Sequence, residues 1–151
     1  MARALGRSLP ISTKQSIELC RFIRNKPVKK AKEVLNAVAR LKMPVPFKRF
    51  VGGLGHKKKI GPGSYPAKAA KEILKLVEGV EANAQFKGLN TNDLVIAHIK
   101  ADKASKTWHF GRQRRRQMKR TNLELVVEEM PSKKEEKAEK EQRKKKEKGA
   151  S

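Results

Sequence analysis

The chain has 151 residues, of which 35% are charged and 5% aromatic, and its 38 Lys and Arg against 15 Asp and Glu give a formal net charge of +23. That length allows one domain with a real core, but the sparse apolar and aromatic material excludes folding all of it into that core. A compact body with this much like charge repels itself unless a polyanion neutralises it; nucleic acid is the usual partner, and an anionic membrane surface is the other candidate.

In chain order, the start MARALGRSLPIS lacks the continuous apolar stretch of a secretory signal, and residues 2–10 alternate weakly, as a short strand does. Ser12 to Gln15, STKQ, reads as a capping box opening a helix. Ile17, Leu19, Cys20, Phe22 and Ile23 form its apolar side, Lys14, Arg21 and Arg24 its polar side, and Asn25-Lys26-Pro27 ends it. Cys20 is the only cysteine, which excludes an internal disulfide and any cysteine metal cluster; within an apolar run it is expected to be a buried free thiol.

Pro27 suits the first turn of a second helix, where Val28, Ala31, Val34, Leu35, Val38 and Leu41 recur on one face. Lys29, Lys30, Lys32 and Arg40 lie outward, and Pro44 and Pro46 stop the helix. Residues 47–63, FKRFVGGLGHKKKIGPG, read as a Gly-rich loop with five Lys or Arg and no acid. Ser64 as cap and Pro66 as first residue predict a long helix to about residue 87. Its buried stripe is Ala70, Ile73, Leu74, Val77, Val80 and Ala84, and Gly88 terminates it.

The clearest strands are residues 93–99 and 121–129. In the second, Leu123, Leu125 and Val127 alternate with Asn122, Glu124 and Glu128. The 21 residues between them are too many for a hairpin loop, so the strands are expected to continue outward as a ribbon turning near Gly111. From Pro131 the composition collapses to Lys, Glu, Arg, Gln, Ala and Ser without apolar periodicity. The predicted fold class is α+β: three helices packed on a small antiparallel three-stranded sheet, with a long protruding β-hairpin at about residues 93–129 and a charged C-terminal tail. The domain is expected to span residues 1–130 and the tail residues 131–151.

The charge is not confined to the tail. Residues 1–63 carry a net +14, residues 64–130 +5 and residues 131–151 +4. Cations spread over most surfaces suggest a protein surrounded by phosphate, held in a folded RNA. The candidate RNA-binding residues are Arg3, Arg7, Lys14, Arg21 and Arg24 near the start; Lys48, Arg49, His56, Lys57, Lys58 and Lys59 in the Gly-rich loop; and Lys103, Lys106, Arg112, Arg114, Arg115, Arg116, Lys119 and Arg120 on the ribbon. Arg offers phosphate a planar fork and stacks on bases, Gly-rich backbone approaches phosphate closely, and Trp108, His109 and Phe110 give stacking faces for unpaired bases. Trp108 and Phe110 share a strand parity, so ordinary core is their alternative role.

Other chemistries find no support. GGLGHKKKIGPG lacks the spacing of a nucleotide phosphate loop. His56, His98 and His109 lie far apart without metal-ligand spacing, and no nucleophile–base arrangement is recognisable. No enzyme, no cofactor and no metal site is expected. No apolar run approaches the roughly 18 residues of a membrane span, and a membrane-surface role would compete with the core for the helices' apolar faces. The expected location is the cytosol.

Four stretches carry a resemblance: ISTKQSIELCRFIRNKP, VPFKRFVGGLGHKKK, NAQFKGLNTNDLVIAHI and LELVVEE. The chain resembles the large-subunit ribosomal protein family numbered twenty-two in bacterial naming and seventeen in eukaryotic naming, in its archaeal form. The resemblance spans nearly all of residues 1–130. It implies a body on the large-subunit surface near the tunnel exit, bound to large-subunit ribosomal RNA and beside neighbouring ribosomal proteins. It also implies a hairpin running inward, whose tip helps line the nascent-peptide exit tunnel and meets the nascent polypeptide. The tip falls on Trp108, His109, Phe110, Gly111, Arg112 and Gln113, of which Gly111 and Arg112 match the family's tip; Trp108-His109-Phe110 replace its usual Pro and small residues. The outgoing arm is several residues short, on the order of 10 Å of reach at roughly 3.3 Å per residue. A free-standing basic RNA-binding protein or RNA chaperone is the alternative.

Overall fold

A computed structural model describes residues 1–112 and 115–130. In chain order these form β1 (Ala2–Leu9), α1 (Thr13–Ile23), α2 (Val28–Ala39), β2 (Val45–Pro46), β3 (His56–Lys57), β4 (Gly61–Ser64), α3 (Ala67–Phe86), β5 (Leu94–Lys103) and β6 (Thr121–Glu129). The expected tail lies outside the described residues, as do Gln113 and Arg114.

The main sheet is antiparallel in the order β1-β6-β5. β6 is the middle strand, pairing Ala4 with Leu125 on one side and Ile99 with Leu125 on the other. Its alternation is what a sheet covered on one face requires: Leu123, Leu125 and Val127 are fully buried, whereas Asn122, Glu124, Val126 and Glu128 are not. The helices supply the cover. α1 packs on β5, α3 crosses β1 and β6, and α2 packs on α3. Ile73, Val77, Val80 and Ala84 of α3 meet Leu19, Ile23, Leu35 and Val38 in one apolar cluster with the sheet. The expected α+β class, with three helices on a three-stranded sheet, is what forms.

The free edge of β5 is covered by the α1–α2 connection. The Asn25 amide donates to the Ile96 carbonyl at 3.0 Å and the Ile96 amide to the Lys26 carbonyl at 3.1 Å. The β5–β6 register shifts between Ile96 and His98. Gly88, just beyond α3, sits at φ +73°, and the Leu89 amide bonds the Ala84 carbonyl at 3.0 Å; the left-handed stop expected of that glycine is present.

Several local expectations are corrected. The STKQ capping box does not form, because Ser12 makes no side-chain cap. The neighbouring hydroxyls go elsewhere: Thr13 Oγ1 pairs with Thr121 Oγ1 at 2.8 Å, and Ser16 Oγ donates to the Ser12 carbonyl at 2.9 Å. Ser64 is not a helix cap either; it pairs with Val45 in β4, and α3 starts at Ala67 after Pro66. Residues 47–63 are not simply loop. β4 pairs with both β2 and β3, making a second small sheet. α2 stops at Ala39, so Leu41, expected on the buried face, stands 61% exposed at φ +60°. Val34 and Leu74 are only partly buried. By contrast, β5 continues beyond residue 99 to Lys103, the outward extension expected of the ribbon's first arm.

Replacing Ile73, fully buried in α3, with Ala should cost about 2–5 kcal/mol while leaving urea unfolding cooperative. Leu74→Ala, on the partly buried flank, should cost clearly less. Equal losses at the two positions would contradict this placement of the core.

Candidate nucleic-acid interface

The basic loop after α2 is held in place by a buried acid. Glu18 is the only acid in residues 1–32, and α1 places it on the buried face beside Leu19, with 1% of its surface exposed. Its carboxylate accepts three backbone hydrogen bonds: from Lys48 at 3.3 Å, Arg49 at 2.7 Å and Phe50 at 2.9 Å. Burial alone is the largest influence and would push this carboxyl up. The three N–H bonds and the charge of Arg21 together outweigh it and hold the group below its ordinary value. The loop is thereby fixed with the Lys48 and Arg49 side chains exposed. The Arg49 guanidinium lies 5.3 Å and Lys14 Nζ 5.8 Å from the centre of the Phe50 ring, contacts of cation–π range.

Lys14 continues the basic surface from the loop toward the ribbon. It lines a recess with Lys103, Lys106, Lys119 and Arg120, at the place where the two ribbon arms leave the sheet beside the start of α1. Lys119 and Arg120 also line a second recess, with Lys68, His109 and Arg116. Arg49 in the loop, Lys14 in α1, the ribbon root and Lys68 in α3 therefore form one cationic strip across four parts of the fold. The ion pairs of the described residues, Lys32 with Glu81, Lys75 with Glu72 and Lys100 with Asp102, use none of Lys14, Lys103, Lys106, Lys119 or Arg120.

Beyond β5 and β6 the chain continues as an irregular antiparallel ribbon. The Ala104 amide donates to Arg120 O at 3.2 Å, the Met118 amide to Thr107 O at 2.8 Å and the His109 amide to Arg116 O at 2.7 Å. Trp108 bridges Gln117. Gly111 has φ +107°, a conformation that only glycine adopts without strain, at the end of the outgoing arm. Trp108 is 59% and Phe110 90% exposed. Neither belongs to the core, so both rings are available for stacking. With His109, Gly111 and Arg115 they line a shallow apolar and basic hollow.

The remaining sequence candidates are scattered. Arg3 and Arg7 are exposed on β1, where Arg3 lies across from Val126. Arg21 is exposed on α1; Arg24 also serves the fold, its Nη2 donating to the Ile99 carbonyl at 2.9 Å. His56, Lys58 and Lys59 are exposed around β3, and Lys57 lies 5.6 Å from the Tyr65 ring centre. Arg112, Arg115 and Arg116 are exposed near the turn. Cys20 is buried, as expected of a free thiol, and burial pushes it up to about 12. Sequence reasoning missed Glu18 and Lys68. A lone acid amid a basic stretch was the available signal for Glu18; nothing local marks Lys68, which joins the strip only through the tertiary fold.

Among the described residues no group of His, Cys, Asp and Glu could hold a metal ion, and no helix is long and apolar enough to cross a membrane. Compared with known proteins, the chain matches the family described as Ribosomal protein L22p/L17e over residues 4–128. It is 40% identical over 135 residues to the large ribosomal subunit protein uL22 of Archaeoglobus fulgidus, covering 84% of this chain and 87% of that protein. It is 39% identical over 133 residues to the uL22 of Thermoplasma acidophilum, covering 85% and 88%. To that of Methanocaldococcus jannaschii it is 38% identical over 136 residues, covering 85% and 87%.

The Glu18 contacts carry a pH signature. Because the folded-state value is depressed, the stabilisation is complete above the unfolded value of about 4.3 and is lost as pH falls through the lower folded value. Glu18→Gln should destabilise the chain by about 1–3 kcal/mol at pH 7, with the gap to wild type narrowing in acid. Urea melts across pH check this; a gap independent of pH would refute the role of the charge.

Proposed function

The chain belongs to the ribosomal protein L22p/L17e family, in its archaeal form, and from that premise we propose that it is a structural constituent of the large ribosomal subunit that binds large-subunit ribosomal RNA. The family is structural, and the chain is not an enzyme. The observation that carries the RNA reading is the cationic strip from Arg49 through Lys14 to the ribbon root, whose lysines no carboxylate of the described residues neutralises. Lys and Arg contact phosphates there, the Glu18-anchored loop is held ready to meet RNA backbone, and binding supports assembly of the RNA fold. Its setting is the cytoplasm, within the large subunit.

The ribbon extends this reading. Its exposed Trp108 and Phe110, flanked by Arg112 and Arg115, suit a segment threaded between RNA helices, with rings wedged or stacked against bases. In this proposal the tip, residues 108–113, contributes to the wall of the nascent-peptide tunnel beside neighbouring ribosomal proteins. The domain of this proposal is residues 1–130: the Met130 amide still bonds the Asp93 carbonyl, at 3.0 Å, and residues 131–151 are an addition to it.

Two outcomes are expected of the binding reading. The chain should co-sediment stoichiometrically with large subunits through a high-salt wash; its release in that wash would favour a free-standing RNA-binding protein. Replacing Arg112, Arg115 and Arg116 with Ala should weaken binding to large-subunit RNA and flatten its salt dependence, by about 0.7–0.9 in logarithmic slope for each phosphate no longer neutralised. An unchanged slope would remove these side chains from the RNA surface. For the domain boundary, deleting residues 131–151 should leave thermal unfolding cooperative and its midpoint unmoved.

A further inference from the structure

The two ribbon arms and the helical body meet at one concave place, and their cations meet there too. The recess beside the start of α1 has a volume of about 400 Å³ and takes Lys14 from α1, Lys103 and Lys106 from the outgoing arm, and Lys119 and Arg120 from the returning arm. Among the described residues no carboxylate lines it. We propose that this recess is a phosphate site that grips a bend of RNA backbone, and that its occupancy fixes the direction of the ribbon against the body.

Its floor is built and its rim is charged. Thr13 Oγ1 pairs with Thr121 Oγ1 at 2.8 Å, and Thr121 Oγ1 lies 3.0 Å from the Ile11 carbonyl that it bonds, so the start of α1 is tied to the start of β6. Arg120 is braced, its Nη1 donating to the Ser8 carbonyl at 3.0 Å and its Nη2 lying 3.7 Å from Met118 Sδ. Five cations on one recess call for an anion with more than one charge, which adjacent phosphodiesters at a bend supply and a single carboxylate does not. A planar lipid surface reaches the flanks of helix and ribbon but does not enter the angle between them.

The link to the ribbon follows from where the charges sit. Past Lys103 and before Thr121, among the described residues, backbone amide bonds from Ala104, Met118 and His109 join the arms. Lys103 and Lys106 face Lys119 and Arg120 across the same recess, so without an anion their repulsion works against those bonds. A bound polyanion reverses the sign and draws both arms to the helix. Anion binding and ribbon order are then two sides of one equilibrium.

This inference rests on the RNA-binding reading, and the test separates the two. The full chain is titrated with inorganic pyrophosphate while its amides are followed by NMR, including hydrogen exchange. Shifts should concentrate at Thr13, Lys14, Lys103 and Lys119, and exchange at the His109 and Met118 amides should slow by about tenfold at roughly ten times the Kd. Lys103→Gln with Lys119→Gln should abolish both effects, whereas Lys58→Gln with Lys59→Gln in the loop should keep them. A large-subunit ribosomal RNA fragment should slow the same amides; slowing by anionic phospholipid vesicles and not by RNA would overturn the assignment to RNA backbone. Shifts spread evenly over loop and recess, or no slowing at His109 and Met118, would overturn the proposed site. A chain that binds pyrophosphate at the recess but fails to bind the RNA fragment would instead remove the reading on which it rests.

Discussion

Repulsion among unpaired like charges is the constraint under which this fold is arranged. A net charge of +23 cannot be carried inside, since a buried cation without a partner costs several kcal/mol. The apolar material suffices to cover one face of one small sheet, and the three helices spend their apolar sides doing so. The described cations are all left outside the core. The acids soften this only locally: Glu81, Glu72 and Asp102 each hold one lysine. What remains is a body whose basic surface needs an external polyanion, which is a statement about its partner made by its core.

Glu18 shows the same economy of acids put to a different use. A carboxylate buried among apolar side chains in so basic a chain would be expected to take a guanidinium. It takes three consecutive backbone N–H groups instead. The consequence is that Lys48 and Arg49 keep their charges for something outside while their backbone is immobilised. Preorganising a basic loop lowers the entropy lost when it meets a ligand. The loop and Lys14 then present one surface in a fixed relation, where two independently mobile segments would each lose freedom on binding.

Much of this was legible in the sequence because it rests on local periodicity. The stripes of α2 and α3 and the alternation of β6 give their faces directly, and Gly88 and Gly111 mark a stop and a turn. The cap readings failed separately: Ser12 makes no side-chain cap bond at the start of α1, and the backbone of Ser64 is taken up in a strand pair with Val45 before α3 begins. The second sheet escaped notice because its strands are two to four residues long and rich in Gly and Pro. Charge count pointed to RNA, but not to the way the cations group. Lys14 is separated from Lys103 and Lys119 by more than half of the chain, and the three become neighbours only once β5 and β6 pair and α1 packs beside them.

In the proposed function, the strip running from Arg49 through Lys14 to the ribbon root is the surface that would face ribosomal RNA. A map of the intact large subunit containing this chain, at a detail that places side chains, tests this most directly. The expected result is RNA phosphates against Arg49, Lys14, Lys103 and Lys119, with the ribbon passing between RNA helices. RNA lying instead on the outer sheet face around Arg3 and Arg7, with the strip open to solvent, would contradict it.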